Sequence, residues 1–473
     1  MIRIRQFLYL FPLIGILIFS GPGCKKNDGL DTSPSAYLTF STTLVEFDTV
    51  FASTGSSTHN FTVHNPNKQA VNISDIRLQG GISSPFRVNI NGNPTTDFPN
   101  VRLAAGDSIF IFAEVTINPT NANLPFIVTD TILFVLNGHT QKVALQAYGQ
   151  NAHFINNRIL GCDTTFHNDG IPIVLYDTAY VNPKCTLTID AGVTIYCHHN
   201  AVFLIDGTMI SNGTKAQPVI FRQDRLEQSY ENQPGQWFGI RFLDSSINNT
   251  LTHTITEEAT AGIEVDSFPY AGQAKLSLSK CIIKNCSSEG LICFGASVNA
   301  TNSLIYASGM YNVYCALGGT YNFINCTFDI INDFVANRVP SIHLDNEVYK
   351  STAGVLSPLD LKANFYNCII WGDLADEVDL QKYTGDAFDT TFRHNIIKAK
   401  KLKFGSLNQV SQNQYYPGFV NEAGGDYHLI AGSPAINGGT LAVIPGIPPF
   451  NDDLDDVHRP NPITPDIGCY TYH

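Results

Sequence analysis

Ser279-Lys-Cys-Ile-Ile283, Thr301-Asn-Ser-Leu-Ile305, Ile324-Asn-Cys-Thr-Phe328 and Tyr366-Asn-Cys-Ile-Ile370 are four versions of one phrase. Their third residues fall at 281, 303, 326 and 368, so the steps are 22, 23 and 42. The last step reads as two periods with one phrase blurred. A repeat this short cannot bury its own apolar face and must stack on copies of itself. The residues are β-formers without a helical period, which predicts a parallel β-helix with turns about 4.8 Å apart.

A second column carries the same period. Gly239-Ile-Arg-Phe, Gly262-Ile-Glu-Val, Gly290-Leu-Ile-Cys, Asn312-Val-Tyr-Cys and Ser341-Ile-His-Leu align at spacings of 23, 28, 22 and 29. Strand side chains alternate faces. Ile240, Ile263, Leu291, Val313 and Ile342 should therefore form one inward stack, and Phe242, Val265, Cys293, Cys315 and Leu344 the next. Between them Arg241, Glu264, Ile292, Tyr314 and His343 should point outward, with Asp266 and Asp345 as further outward neighbours. Long loops are expected at Asp224–Pro234, Asp345–Asp360 and Gly372–Thr391. Insertions in a solenoid tend to build its binding face.

The chain has 473 residues, too many for one compact domain. Its net charge of −13 leaves no basic footprint for nucleic acid. Five of the eleven cysteines, Cys281, Cys293, Cys315, Cys326 and Cys368, fall in inward columns and read as small apolar core residues. Side chains in parallel register point the same way, which suits disulfide geometry poorly. Cys162, Cys185 and Cys197 lie outside that stack and leave room for one disulfide. Asn451-Asp-Asp-Leu-Asp-Asp456 offers oxygen ligands for calcium but lacks the spacing and closing Glu of a calcium loop. It reads as a solvated acidic loop, and no cofactor is expected.

The N-terminus reads as an export signal over residues 1–23: Arg3 and Arg5, an apolar run Phe7–Phe19, then Ser-Gly-Pro-Gly before Cys24. This resembles a bacterial lipoprotein signal. The resemblance implies a diacylated Cys24, a tether over 24–36, and a lipid anchor in the outer membrane of a Gram-negative envelope, periplasmic or surface-exposed. Residues 37–151 carry strands at Leu44–Val50, His59–His64, Val71–Leu78, Phe86–Ile90, Ser108–Ile117, Thr129–Leu136 and Lys142–Tyr148, a spacing that fits an immunoglobulin-like sandwich. Phe61-Thr-Val-His-Asn-Pro66, Leu103-Ala-Ala-Gly-Asp-Ser108 and Ala147-Tyr-Gly149 resemble modules related to the ASPM–SPD-2–Hydin family, which implies a spacer or docking role.

Residues 152–425 are the expected solenoid. Leu187-Thr-Ile-Asp-Ala-Gly-Val193, Phe203-Leu-Ile-Asp-Gly-Thr208, Pro218-Val-Ile-Phe221 and Gln236-Trp-Phe-Gly-Ile-Arg-Phe242 resemble the opening turns of pectate-lyase-like right-handed β-helix proteins. Residues 426–473, with Gly432-Ser-Pro-Ala-Ile-Asn-Gly-Gly439 and Pro465-Asp-Ile-Gly-Cys-Tyr470, resemble the closing segment of bacterial β-helix lipoproteins. They are expected to cap the solenoid end, with an Arg459–Asp466 ion pair inside the cap.

Three readings apply to the outward column. In one, Arg241 and Glu264 form a surface ion pair worth at most about 1 kcal/mol, and Tyr314 packs under a loop. In the second, Tyr314, His343 and Tyr349 form a sugar-stacking strip, with Arg241, Glu264 and Asp266 as further ligand contacts. In the third, Tyr314 or His343 removes a proton alpha to a uronic carboxylate that Arg241 neutralises. Lyases of the resembling family use Lys or Arg as base with acidic calcium ligands, and no column here presents that set. The close carboxylate pairs that flank a glycosidic bond are also missing from the motifs. The expected function is thus an outer-membrane-anchored scaffold that binds or adheres to glycans, with the bilayer and polysaccharide as partners. The alternative is a polysaccharide lyase or glycoside hydrolase.

Overall fold

In the computed structural model the described residues are 29–119, 125–266, 274–330, 339–347, 350–351, 354–355, 360–383, 387–410, 414–441, 451–461 and 463–473. The export signal, Cys24 and Tyr349 lie outside them. The chain divides into two compact units, Met1–Gln150 and Asn151–His473.

The first unit holds two five-stranded sheets. One orders Thr39–Phe40, His59–His64, Ser108–Val115, Phe86–Ile90 and Asn93–Pro94; the other orders Leu44–Phe51, His139–Gln150, Phe126–Leu136, Val71–Leu78 and Asp97–Leu103. Ser108–Val115 alternates strictly between exposed and buried positions, as a sheet with one wet face must. Phe47, Phe61, Phe86 and Phe134 fill the shared core. Asp97–Leu103 escapes a pattern reading because Pro99 interrupts it; its place at a sheet edge tolerates the missing N–H. Two of the motif fragments meet here. Buried Asn65 donates from Nδ2 to the carbonyls of Leu103 and Ala104 and accepts from the Asn67 N–H.

The second unit is a parallel β-helix. Among the described residues, eighteen strands form one long folded sheet, two per turn, and nine strands form the other, one per turn. The repeated phrases stack in register: Ile282 on Leu304, Leu304 on Thr327, Thr327 on Ile369, and Ile369 on Ile396. The step of 42 is thus a single turn with a large insertion, since Thr327–Ile330 pairs directly with Ile369–Gly372. No turn is lost. Lys280, Asn302, Asn325, Asn367 and His394 all hold positive φ, between 45° and 55°, at the corner just before these strands. Asn tolerates that left-handed conformation better than most residues, which explains why Asn precedes the small third residue.

The inward columns are buried throughout, and their cysteines stay free. Cys293 pairs with Cys315 across adjacent rungs. The disulfide joins Cys162 to Cys185, whose Cα atoms are 4.7 Å apart one turn from each other. Both sit in corners rather than strands, so their side chains are freed from the parallel register that discourages bridging in the columns. Cys197 is free and buried.

Three expectations change. Gly372–Thr391 is not a loop: Val378–Gln381 pairs with Ile342–Asp345, and Phe388–Arg393 with Leu361–Tyr366. The closing segment 426–473 lies along the flank of the solenoid, not over its end. Its contacts run from Lys215–Asp455 through Lys280–Asp456 and Arg459–Asn302 to Asn367–Thr440 and His394–Gly438. There it covers an outer apolar stripe of Leu304, Ile369 and Ile396. The end of the core is instead packed by Phe392, Leu402, Phe404 and Val410. No Arg459–Asp466 side-chain ion pair forms. Buried Arg459 donates to the main-chain carbonyls of Asp466 and Gly468 and to Asn302 Oδ1, while the Asp466 carboxylate takes Thr471 and the N–H groups of Asn437 and Tyr472.

Candidate functional site

The outward column forms in the expected register. Arg241 stacks on Glu264, Glu264 on Ile292, Ile292 on Tyr314, and Tyr314 on His343. The next rung adds Asp379. Ile292 divides the column into two groups about three rungs apart, roughly 14 Å from Arg241 to Tyr314.

In the first group Arg241 donates from Nε to Asp266 at 2.7 Å and lies 3.4 Å from Glu264. The bond to Asp266 raises the Arg241 pKa further. Burial raises that of Glu264 against the pull of Arg241. The guanidinium is already neutralised by two carboxylates and is no free partner for a uronic acid.

In the second group the Tyr314 and His343 rings lie face to face, with centroids 4.8 Å apart and planes within 9°. Tyr311 leans against both, at 5.2 Å and 5.3 Å. Phe294 meets Tyr314 edge-on. His343 is almost fully buried, and both of its nitrogens face acids: Nε2 to Asp345 and Nδ1 to Asp379, each at 2.9 Å. Burial opposes the imidazolium, yet the two carboxylate bonds outweigh it and raise the pKa. A ring held by carboxylates on both sides must donate twice, so His343 is the charged form. Asp345 also accepts the N–H groups of Leu317 and Glu347, and its pKa falls despite burial. Burial, then the nearby acids led by Asp345, pushes the Tyr314 phenol up to about 12. Neither Tyr314 nor His343 is a base at neutral pH in this arrangement.

The stack also corrects the picture of Tyr314 as a sugar platform. Its face is spent on His343, and what it offers is its edge and hydroxyl. Among the described residues, no hydrogen bond engages the hydroxyl of Tyr311 or Tyr314. Around them stand Asp379, Gln381 and the exposed Tyr383, with Gln381 Nε2 donating to Asp379. Sequence reading missed Asp379, Gln381 and Tyr383 because their segment passed for a loop. The alternation of Val378 and Leu380 with Asp379 and Gln381 was the signal that marks it as a rung. Tyr311, in a corner, had no periodic signal.

A second cluster sits where the flank segment docks. Fully buried Asp329 accepts from the Tyr427 hydroxyl at 2.9 Å, and Glu422 accepts from Tyr416 at 3.0 Å. Asp329 Oδ1 and Glu422 Oε1 are both buried without a hydrogen-bond partner among the described residues. Burial, then the Glu422 charge, drives the Asp329 pKa well up. The acidic stretch 451–456 is less solvated than its composition suggests. Asp453 is buried and accepts the N–H groups of Asp455, Val457 and Thr471, while Asp456 meets Lys280 and His253. Among the described residues, no group of three or more His, Cys, Asp or Glu is placed to hold a metal ion.

Comparison with known proteins agrees with this architecture. No curated protein sequence matches the chain. Among solved structures, a PapD-like domain of human CEP192 is 11% identical, covering 27% of this chain and 94% of its own, at a TM-score of 0.18. A family 123 glycoside hydrolase from Clostridium perfringens is 11% identical, covering 24% of this chain and 27% of its own, at 0.18. The A-module of the mannuronan C-5 epimerase AlgE6 from Azotobacter vinelandii is 13% identical, covering 51% of this chain and 84% of its own, at 0.21. At these scores the likenesses carry no argument about activity. Residues 143–328 match the family model described as a right handed beta helix region. With the long parallel sheets, this makes the fold all-β and its solenoid a right-handed parallel β-helix.

Proposed function

We propose that this protein is a lipid-anchored envelope protein whose β-helix binds glycan at the Tyr311–Tyr314–His343 strip without cleaving it. One observation carries the reading: the charged groups of the outward column, Arg241, Glu264 and His343, each have an internal partner, while among the described residues no hydrogen bond engages the Tyr311 and Tyr314 hydroxyls beside an exposed Tyr383. A base needs a free lone pair within reach of its proton. His343 has none, the Tyr314 phenol is held protonated, and Arg241 is paired. Tyrosine edges, Gln381 and Asp379 instead offer donors and acceptors suited to sugar hydroxyls. The anchor rests on the resemblance around Cys24, and the module of residues 37–151 serves as a spacer.

Binding of soluble polysaccharides to the purified protein tests the site. Replacing Tyr311 and Tyr314 together by Phe keeps the ring contacts and removes both hydroxyls. Two lost hydrogen bonds should weaken binding about 10- to 100-fold. Turnover of any tested polysaccharide, abolished by His343→Ala, would overturn the non-catalytic reading. Palmitate should label the protein in cells and fail to label Cys24→Ala; equal labelling of both would remove the anchor.

A further inference from the structure

The charges around the strip bear on the class of glycan it takes. Asp345 and Asp379 flank His343 directly. Glu289 and Glu347 act on the same tyrosines: the acids Asp345, Asp379, Glu289 and Glu347 add to burial in raising Tyr311 and Tyr314, and Glu347 leads the causes at Tyr383. Against four carboxylates stand, among the described residues, the His343 imidazolium, enclosed by two of them, and Lys382, adjacent in sequence to Gln381 and Tyr383. Farther along the column Arg241 is held between Glu264 and Asp266. Among the described residues the column therefore carries excess negative charge at both of its groups, and its guanidinium, Arg241, is occupied.

A polymer with a carboxylate or sulfate on each residue would meet repulsion along the column and, among the described residues, find no free guanidinium to fork onto. An ammonium-bearing sugar would find no bare carboxylate pair. Asp345 is saturated by His343 and two N–H groups, and Asp379 Oδ2 already takes His343 and Gln381. Uncharged hydroxyls suit what remains: the Tyr311 and Tyr314 hydroxyls and the second Asp379 oxygen, with Gln381 already bonded to Asp379 and Tyr383. We infer that the strip binds polysaccharides that carry no charged substituents and rejects uronic and sulfated ones, an inference that rests on the binding role proposed above. It runs against the uronic substrates that the lyase resemblance would suggest.

The test is a retention panel with the full-length protein against a neutral glucan, mannan and xylan, a chitosan, polygalacturonate, alginate and a sulfated galactan. Measurements at about 0.01 M and 0.15 M ionic strength separate screened repulsion from lack of fit. The inference expects retention by at least one neutral polymer, reduced by Tyr311→Phe with Tyr314→Phe, and none by the anionic ones at either salt. Neutralising the field with Glu289→Gln and Asp379→Asn should make retention of polygalacturonate detectable at low salt, where the parent shows none. Binding of a uronic or sulfated polymer that the tyrosine variant loses would overturn the charge inference and leave the binding role standing. Preference for chitosan over every neutral polymer would also overturn it. If no polymer is retained, the binding role and this inference both fall.

Discussion

At the residue scale, Asp329 and Glu422 set the protein's response to pH. Their folded pKa values are both raised, and burial pushes Glu377 from 4.5 up to about 8. A group with a raised folded pKa contributes stability that is complete below its unfolded value and lost as pH rises through the folded one. For Glu377 that window is 4.5 to about 8. His343, also raised, loses its contribution above 6.5. The melting temperature should therefore fall between pH 5 and pH 9. Asp329→Asn keeps an acceptor for Tyr427 and cannot ionise. It should melt close to the parent at pH 5 and flatten the decline above pH 7, whereas Asp329→Ala should be less stable at both. A decline as steep in Asp329→Asn as in the parent would show that ionisation of Asp329 is not the cause. Little of this was legible in the sequence, since Asp329 and Glu422 are 93 positions apart and only docking of the flank brings them together.

At the scale of elements, the rungs were legible because one face of each strand must be apolar and the corner before it left-handed. The column from Arg241 to His343 follows from those two demands. What hid Asp379 was the insertion after Ile330, which stretched one turn to 42 residues. The corner asparagines make a sharp expectation. Asn325 holds φ 52° and donates to the Asp466 carbonyl. Asn325→Ala should cost about 2 kcal/mol, from left-handed strain and the lost bond. Asn325→Gly should cost less, because it relieves the strain alone; a denaturant titration that ranks them the other way would refute the corner argument. The Cys162–Cys185 bridge closes a short loop of sequence separation 23. Paired replacement by Ser should lower stability by about 3 kcal/mol, confined to the first turns of the solenoid. Hydrogen exchange would localise the loss.

At the scale of the whole molecule, the two units carry separate cores. Calorimetry should accordingly resolve two transitions, and residues 29–150 produced alone should reproduce one of them; a single transition, with unfolded 29–150, would contradict their independence. The fold class was readable because repeats announce themselves. The lie of residues 426–473 was not, since a segment without periodicity gives no register. Those residues lend the flank an order in time as well as in space. The rungs from Lys215 to His394 leave the ribosome and cross any export channel before the segment that covers them, so Leu304, Ile369 and Ile396 stay bare until it arrives. The nascent solenoid thus shows an apolar stripe that only the arrival of residues from the flank segment closes.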